Sequence, residues 1–206
     1  MRADLAAYAT ELGLGTDVEV PRAFGVHRRR DAWIWPMFDA DRKRIGARLR
    51  LDSGRKLSEK GGRNGLFLPG PTLWKGYGPL AVGEGETDTA HIAALRGLDV
   101  VGRPGCTSCT DELCRLAVGR TSAVIVSDDD RAGLEGAWSL ARAMASTVGL
   151  VVVVLPPHGF KDAREWLTAR RHAGRTAAQC TDELLELVER AFESGFCVDR
   201  VEVSRG

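Results

Sequence analysis

The sequence predicts an α/β protein: a parallel sheet flanked by helices, preceded by a small α+β N-terminal subdomain that contains a β-hairpin. Three observations predict it. After Pro79, short apolar runs alternate with helical segments, the pattern of a parallel sheet covered on both faces. Two acidic clusters, Glu84 to Asp88 and Asp128 to Asp130, each directly follow such a run. Parallel strands bring their C-terminal ends to one edge, so these acids are expected to converge on one divalent cation and one phosphate. Before Pro79, two strand-like runs are separated by a polar turn and surrounded by basic residues.

In chain order, Ala3 to Leu12 reads as a short helix ended by Gly13 and Gly15. Trp33 to Phe38 and Ile45 to Leu51 read as the two strands of the hairpin, with Asp39 to Arg44 as its turn. In the second strand Ala47, Leu49 and Leu51 alternate with Arg48 and Arg50, so one face packs and the other presents guanidinium groups. Arg48, Arg50, Lys56, Lys60 and Arg63 are expected to lie along a nucleic-acid backbone, with Trp33 and Trp35 either stacking on bases or serving as core. The glycine-rich stretch Gly61 to Gly65 lacks the Lys-Ser/Thr ending of a phosphate-cradling P-loop and reads as a turn.

Beyond Pro79 the expected strands are Leu80 to Val82, Val100 to Val101, Ala123 to Val126 and Leu150 to Leu155. The expected helices between them are Thr87 to Arg96, Thr110 to Ala117 and Gly133 to Thr147. Leu134, Ala137, Trp138, Ala141 and Met144 recur at helical spacing, which core packing explains. Thr176 and Gln179 form a capping-box pattern that opens a helix running toward Glu193. Its apolar face is expected to pack on the parallel-sheet body or to bind a partner. The domain boundaries read as 1–76, 77–172 and 173–206.

Charge divides the chain unevenly. Residues 1–75 hold 15 Lys and Arg against 9 Asp and Glu, an excess of +6, while the rest holds 14 against 19, or −5. A basic module suited to a polyanion thus joins an acidic one suited to cations. The longest apolar run, Leu150 to Leu155, is too short to cross a bilayer, and no signal pattern opens the chain. A cytoplasmic location and no membrane partner are the expectation. Five cysteines in no framework spacing suit a reducing compartment. Cys106, Cys109 and Cys114 lack a fourth ligand at zinc spacing, with His91 and His158 the nearest histidines, so no zinc site is expected.

Asp128 and Asp130 stand two apart, so in extended geometry they point the same way and bind one or two cations together. Oxygen ligands suit Mg²⁺ or Mn²⁺. Lys161 is expected either to meet phosphate or to form an ion pair with the neighbouring aspartate, and Arg103, after the second strand, either to offer phosphate a guanidinium or to be a turn arginine in solvent.

The run Glu84-Gly85-x-x-Asp88 after a strand, followed by strand-Asp128-x-Asp130 with Ala132-Gly133, resembles the Toprim domain of DnaG-type primases, topoisomerases and some nucleases. The resemblance covers about Pro79 to Leu167. Lys161-Asp162-Ala163-Arg164-Glu165-Trp166-Leu167 is similar to the Lys-Asp-Ala-Asn-Glu-x-Leu segment of phage-type primase-helicases. Trp35-Pro36, Asp39-Ala40-Asp41, Ile45-Gly46, Arg48-Leu49-Arg50 and Gly65-Leu66-Phe67 are similar to the subdomain that precedes Toprim in phage and plasmid primases. The resemblance implies Glu84 as the general acid or base at the 3′-oxygen, and Asp88 and Asp162 as further acids of the metal site. Arg164 departs from the pattern, standing where relatives carry Asn or a further acid, which puts the outermost metal position in doubt.

The activity so implied is primer synthesis on single-stranded DNA from nucleoside triphosphates with Mg²⁺ or Mn²⁺, of phage, prophage or plasmid type. The alternatives are a Toprim nuclease acting on DNA or RNA, and a non-catalytic nucleic-acid-binding module. A topoisomerase needs a nucleophilic tyrosine, and only Tyr8 and Tyr77 exist. The sequence holds neither a four-ligand zinc module nor a helicase P-loop, so a helicase or a zinc-binding template-recognition module is the expected partner, on another chain or in a missing region.

Overall fold

The computed structural model describes residues 4–199. Ala3, at the start of the first expected helix, and residues 200–206 of the C-terminal segment lie outside the described residues. Helix α1 (Leu5–Glu11) is capped by Asp4, whose carboxylate accepts the Ala6 N–H at 2.8 Å. A second short helix, α2 (Glu19–Ala23), follows.

The expected hairpin is the centre of a larger sheet. β2 (Ala32–Phe38) and β3 (Arg44–Leu51) pair antiparallel, and β1 (His27–Arg29) and β4 (Lys56–Ser58) extend them in the order β1-β2-β3-β4. Pro36 lies where β2 has a neighbour on one side only, because β1 pairs no further than Ala32–Ile34. Trp33 and Trp35 sit opposite Arg50 and Arg48 on one face of this sheet. Ala32 and Ile34 pack on the other face with Ala47, Leu49 and Leu51.

The second sheet has the order β6-β5-β7-β8-β9. Its strands β5 (Leu80–Glu84), β6 (Asp99–Arg103), β7 (Ser122–Val126) and β8 (Leu150–Val154) run parallel, and β9 (Cys197–Asp199) joins β8 antiparallel. Helices α3 (Gly85–Ala93), α4 (Thr110–Ala117), α5 (Arg131–Met144), α6 (Ala163–His172) and α7 (Ala177–Glu193) complete the chain. α7 opens with the expected capping box: Thr176 accepts from the Gln179 N–H and Gln179 accepts from the Thr176 N–H.

Alternate residues of each parallel strand enter two cores, which is why these strands read as unbroken apolar runs. Leu80, Val82, Ala123, Ile125, Val151 and Val153 pack with Leu113, Ala137, Leu140 and Met144 of α4 and α5. Ala81, Val124, Val126, Val152 and Val154 pack with Ile92, Trp166 and Leu184 of α3, α6 and α7. This second core runs on without a break into Tyr8, Phe24, Trp33, Trp35 and Met37 of the N-terminal region. The two tryptophans are therefore core and not base-stacking platforms: Trp35 is fully buried and donates its indole N–H to the Tyr8 hydroxyl, and Trp33 stacks on the Tyr8 ring.

The sheets are also stitched by backbone. Phe38 pairs with Leu66, and Phe67 exchanges two hydrogen bonds with Gly102 on the outer strand β6. Gly102 and Gly83 let α3 lie close: a Cβ on Gly102 would stand 2.1 Å from Thr89 Oγ1. His91, fully buried on α3, bonds through Nε2 to the Leu12 carbonyl and through Nδ1 to Arg171 Nη1, so it ties the N-terminal turn to α6 and is no metal ligand.

Candidate active site

The C-terminal ends of β5, β6, β7 and β8 meet at one edge, where a pocket of about 370 Å³ opens. Glu84 stands at the end of β5. The chain then turns at Gly85 in a left-handed conformation (φ 75°), and Asp88 follows in the first turn of α3. Asp128 comes from the loop after β7, held close to α5 because Gly133 has no side chain: a Cβ there would lie 2.9 Å from the Asp128 carbonyl oxygen. Asp162 precedes α6, and the Asp129 N–H donates to the Lys161 carbonyl at 2.7 Å, fastening these two loops together.

Two acids also cap helices. Asp130 Oδ1 accepts the Gly133 N–H at 2.8 Å at the start of α5, and Asp162 Oδ1 accepts the Glu165 N–H at 2.7 Å at the start of α6. Each cap employs one carboxylate oxygen. Asp88 Oδ1 accepts the Arg164 N–H at 2.9 Å. The buried Oε2 of Glu84 has no hydrogen-bond partner.

The pocket is crowded with negative charge. Burial, and then the fields of Asp88, Glu84, Asp162 and Asp130, push Asp128 up to about 7. Burial followed by Asp162 pushes Asp88 up to about 6. Glu84 is raised as well, by burial first and by Asp130, with Arg103 pulling the other way. Among the described residues, no three Asp, Glu, His or Cys side chains are close enough to hold a metal ion between them. The donor set of Asp88, Asp128 and Asp162 nonetheless fits a hard divalent cation: it is all carboxylate oxygen, and it is under-neutralised, as the raised Asp88 and Asp128 show.

Cations line the other wall. Arg48, Lys56, Lys161 and Arg164 face the same pocket as Glu84, Asp88, Asp128 and Asp162. Arg48 reaches the Ser58 hydroxyl and the Pro104 carbonyl, both at a long 3.4 Å, and its buried Nε has no hydrogen-bond partner. Lys56 lies 3.4 Å from Glu86, a buried carboxylate that also pairs with Arg50 at 3.2 Å. Arg50 thus binds the N-terminal sheet to α3. Arg103 is 2% exposed and sits in register beside Glu84, so it acts on that carboxylate's charge and not at the surface. Lys60 and Arg63 are exposed on the loop after β4 and do not line the pocket. Asp130 is exposed and stands just outside it. Cys106, Cys109 and Cys114 are free thiols.

Two pocket features escaped the sequence reading. Glu86 was hidden because its partners Arg50 and Lys56 lie some thirty positions earlier. Arg164 stood out in the sequence as a departure from a motif, but its place in the pocket wall did not.

A parallel-rich sheet flanked by helices and joined through one core to an N-terminal antiparallel sheet is the fold of DNA primase catalytic cores, and this chain has that fold. The E. coli primase catalytic core superposes with a TM-score of 0.60 at 16% identity, over 96% of this chain and 74% of that one. The primase fragment of the bacteriophage T7 primase-helicase protein gives a TM-score of 0.58 at 19% identity, over 83% of this chain and 70% of that one. The RNA polymerase domain of Mycobacterium tuberculosis primase DnaG, solved with double-stranded DNA, gives 0.55 at 17% identity, over 91% and 74%. No protein-family model matches the chain, and no curated protein matches it in sequence.

Proposed function

We propose that this chain is the catalytic core of a primase-like nucleotidyltransferase that makes short primers on single-stranded DNA from nucleoside triphosphates, with Mg²⁺ or Mn²⁺, in replication of phage, prophage or plasmid type. One observation carries the reading: in a fold shared with DNA primase cores, five carboxylates and four cationic side chains line a single pocket. Such a surface suits a polyphosphate and its counter-ion together. The similar DnaG catalytic domain was solved with single-stranded DNA bound, which supports the choice of template. Another similar structure, the Aquifex aeolicus primase, pairs this kind of core with a zinc-binding domain, and the bacteriophage T7 relative is a primase-helicase; a helicase or a zinc-binding module is accordingly the proposed partner.

Asp88, Asp128 and Asp162 would hold the cation, with the free oxygen of Asp130 beside them. When bound it would neutralise charge gathering on the phosphate oxygens and the departing diphosphate. Glu84, whose carboxyl burial raises above its ordinary value, takes the proton from the attacking 3′-hydroxyl. Arg48, Lys56, Lys161 and Arg164 orient the triphosphate and the nucleic-acid backbone. Arg50 and Glu86 keep the basic sheet in register with the acid edge, so that Lys56 stands over the pocket.

The test is an incubation with single-stranded DNA, labelled nucleotides and Mg²⁺ or Mn²⁺. Extension products that disappear in the Asp128→Asn protein support the reading. Cleavage without extension would assign the site to a nuclease, and retention of DNA with neither reaction would make the chain a binding module.

A further inference from the structure

Arg164 occupies an unusual position for a cation at an acid cluster. Its backbone N–H donates to Asp88 Oδ1 at 2.9 Å, so the residue is anchored between two of the carboxylates. Its Nη2 lies 3.6 Å from Asp162 Oδ2. Asp162 Oδ1 is committed to the Glu165 N–H, and Oδ2 is therefore the oxygen Asp162 has left for a cation. A divalent cation on that oxygen would be repelled by a guanidinium 3.6 Å away, so the two positive charges compete for Asp162.

The pair is built to part. At 3.6 Å it is longer than a hydrogen bond, and the Arg164 side chain is 46% exposed against 14% for Asp162. A phosphate offers the same guanidinium two short, parallel, charge-assisted bonds. We propose that Arg164 is a resident counter-ion of the pocket: it neutralises Asp162 while the site is empty, and turns to the polyphosphate of an incoming nucleoside triphosphate, which frees Asp162 for the divalent cation. Triphosphate and cation thereby favour one another's binding through a single side chain. The inference rests on the proposed function and names how its two ligands are coupled.

The test uses the full chain and direct binding, without catalysis. Mn²⁺ affinity is measured from the electron spin resonance of the free ion in the absence of nucleotide. Because two unit charges at this distance interact by about 1 kcal/mol even in water, Arg164→Gln should bind Mn²⁺ about fivefold to tenfold more tightly than the natural chain. Arg164→Lys, which keeps the charge, should stay near the natural affinity. Binding of a non-hydrolysable nucleoside triphosphate in EDTA should weaken by about tenfold in Arg164→Gln, the loss of one charge-assisted contact. An unchanged Mn²⁺ affinity or an unchanged triphosphate affinity in that variant overturns the proposal. Failure of the natural chain itself to bind either ligand overturns the proposed function instead.

Discussion

Lowering the pH from 7.5 to 5.0 should destabilise the protein through His91, and the size of the effect follows from the contacts of one ring. The imidazole is fully buried; Nε2 faces the Leu12 carbonyl at 2.9 Å and Nδ1 faces Arg171 Nη1 at 2.7 Å. The ring is therefore neutral, with Nε2–H donating and Nδ1 accepting. Burial, and then the Arg171 charge, depress it from the ordinary 6.5 to about 3. Above pH 6.5 neither folded nor unfolded chain carries a proton there, and His91 has no pH-linked effect. As pH falls below 6.5 the unfolded chain takes up the proton and the folded one does not, so stability declines by about 1.4 kcal/mol per pH unit until about pH 3. Between pH 7.5 and 5.0 the loss is about 2 kcal/mol, or about 4–8 °C in melting temperature for a chain of this size.

Asp88 and Asp128 act in the opposite sense. Their folded values are raised, so the folded state gains from protonating them as the pH falls through about 6 and about 7. The assay accordingly compares the natural chain with His91→Gln, whose amide donates to Leu12 and accepts from Arg171 without titrating. Thermal melts of both proteins at half-unit steps should show the variant gaining about 2 kcal/mol on the natural chain by pH 5.0. A difference that does not change with pH would refute the neutral, buried assignment of the ring.

Further outcomes concern the site and its support. Glu84→Gln should reduce primer synthesis by about a hundredfold or more while leaving Mn²⁺ binding near normal, as single-turnover kinetics beside metal titration would show. Arg48→Ala should weaken single-strand binding and flatten its salt dependence by about one unit of slope, because Arg48 faces the pocket. Arg50→Ala should instead leave the salt slope in place and cost about 1–3 kcal/mol in denaturant titrations, since buried Glu86 keeps only Lys56 as an ionic partner. Gly102→Ala should destabilise by about 1–3 kcal/mol, because its Cβ would overlap Thr89, and Thr89→Ser should not relieve it while the hydroxyl remains.

The parallel sheet was legible because its strands are buried on both faces and so read as continuous apolar runs, from Leu80–Val82 to Leu150–Leu155. Strands β1, β4 and β9 were not, since three residues such as His27–Arg29 or Lys56–Ser58 carry no alternation to read. Of the acids read as one site, Glu84, Asp88, Asp128 and Asp162 line one pocket, whereas Asp130 caps α5 just outside it. The division of the basic residues was beyond reach. Period-two alternation shows that Arg48 and Arg50 share one face of β3, the face on which they oppose Trp35 and Trp33 of β2. It does not show that the α/β body covers that face, which makes Trp33 and Trp35 core and turns Arg50 toward Glu86. Arg103 was misleading for a related reason: strand-end position marks the functional edge, but its side chain folds into the protein beside Glu84.

The double duty of Asp130 and Asp162 has a consequence for how the site comes into being. Each carboxylate gives one oxygen to the first turn of its helix, so its rotamer is selected when α5 and α6 form and not when an ion arrives. The remaining oxygens are oriented in advance, and the rotational entropy of those side chains is lost on folding. Ion capture then has less ordering left to do. A substitution that spares the negative charge but spoils the cap, such as Asp162→Glu, would leave an acid in place and still loosen the pocket.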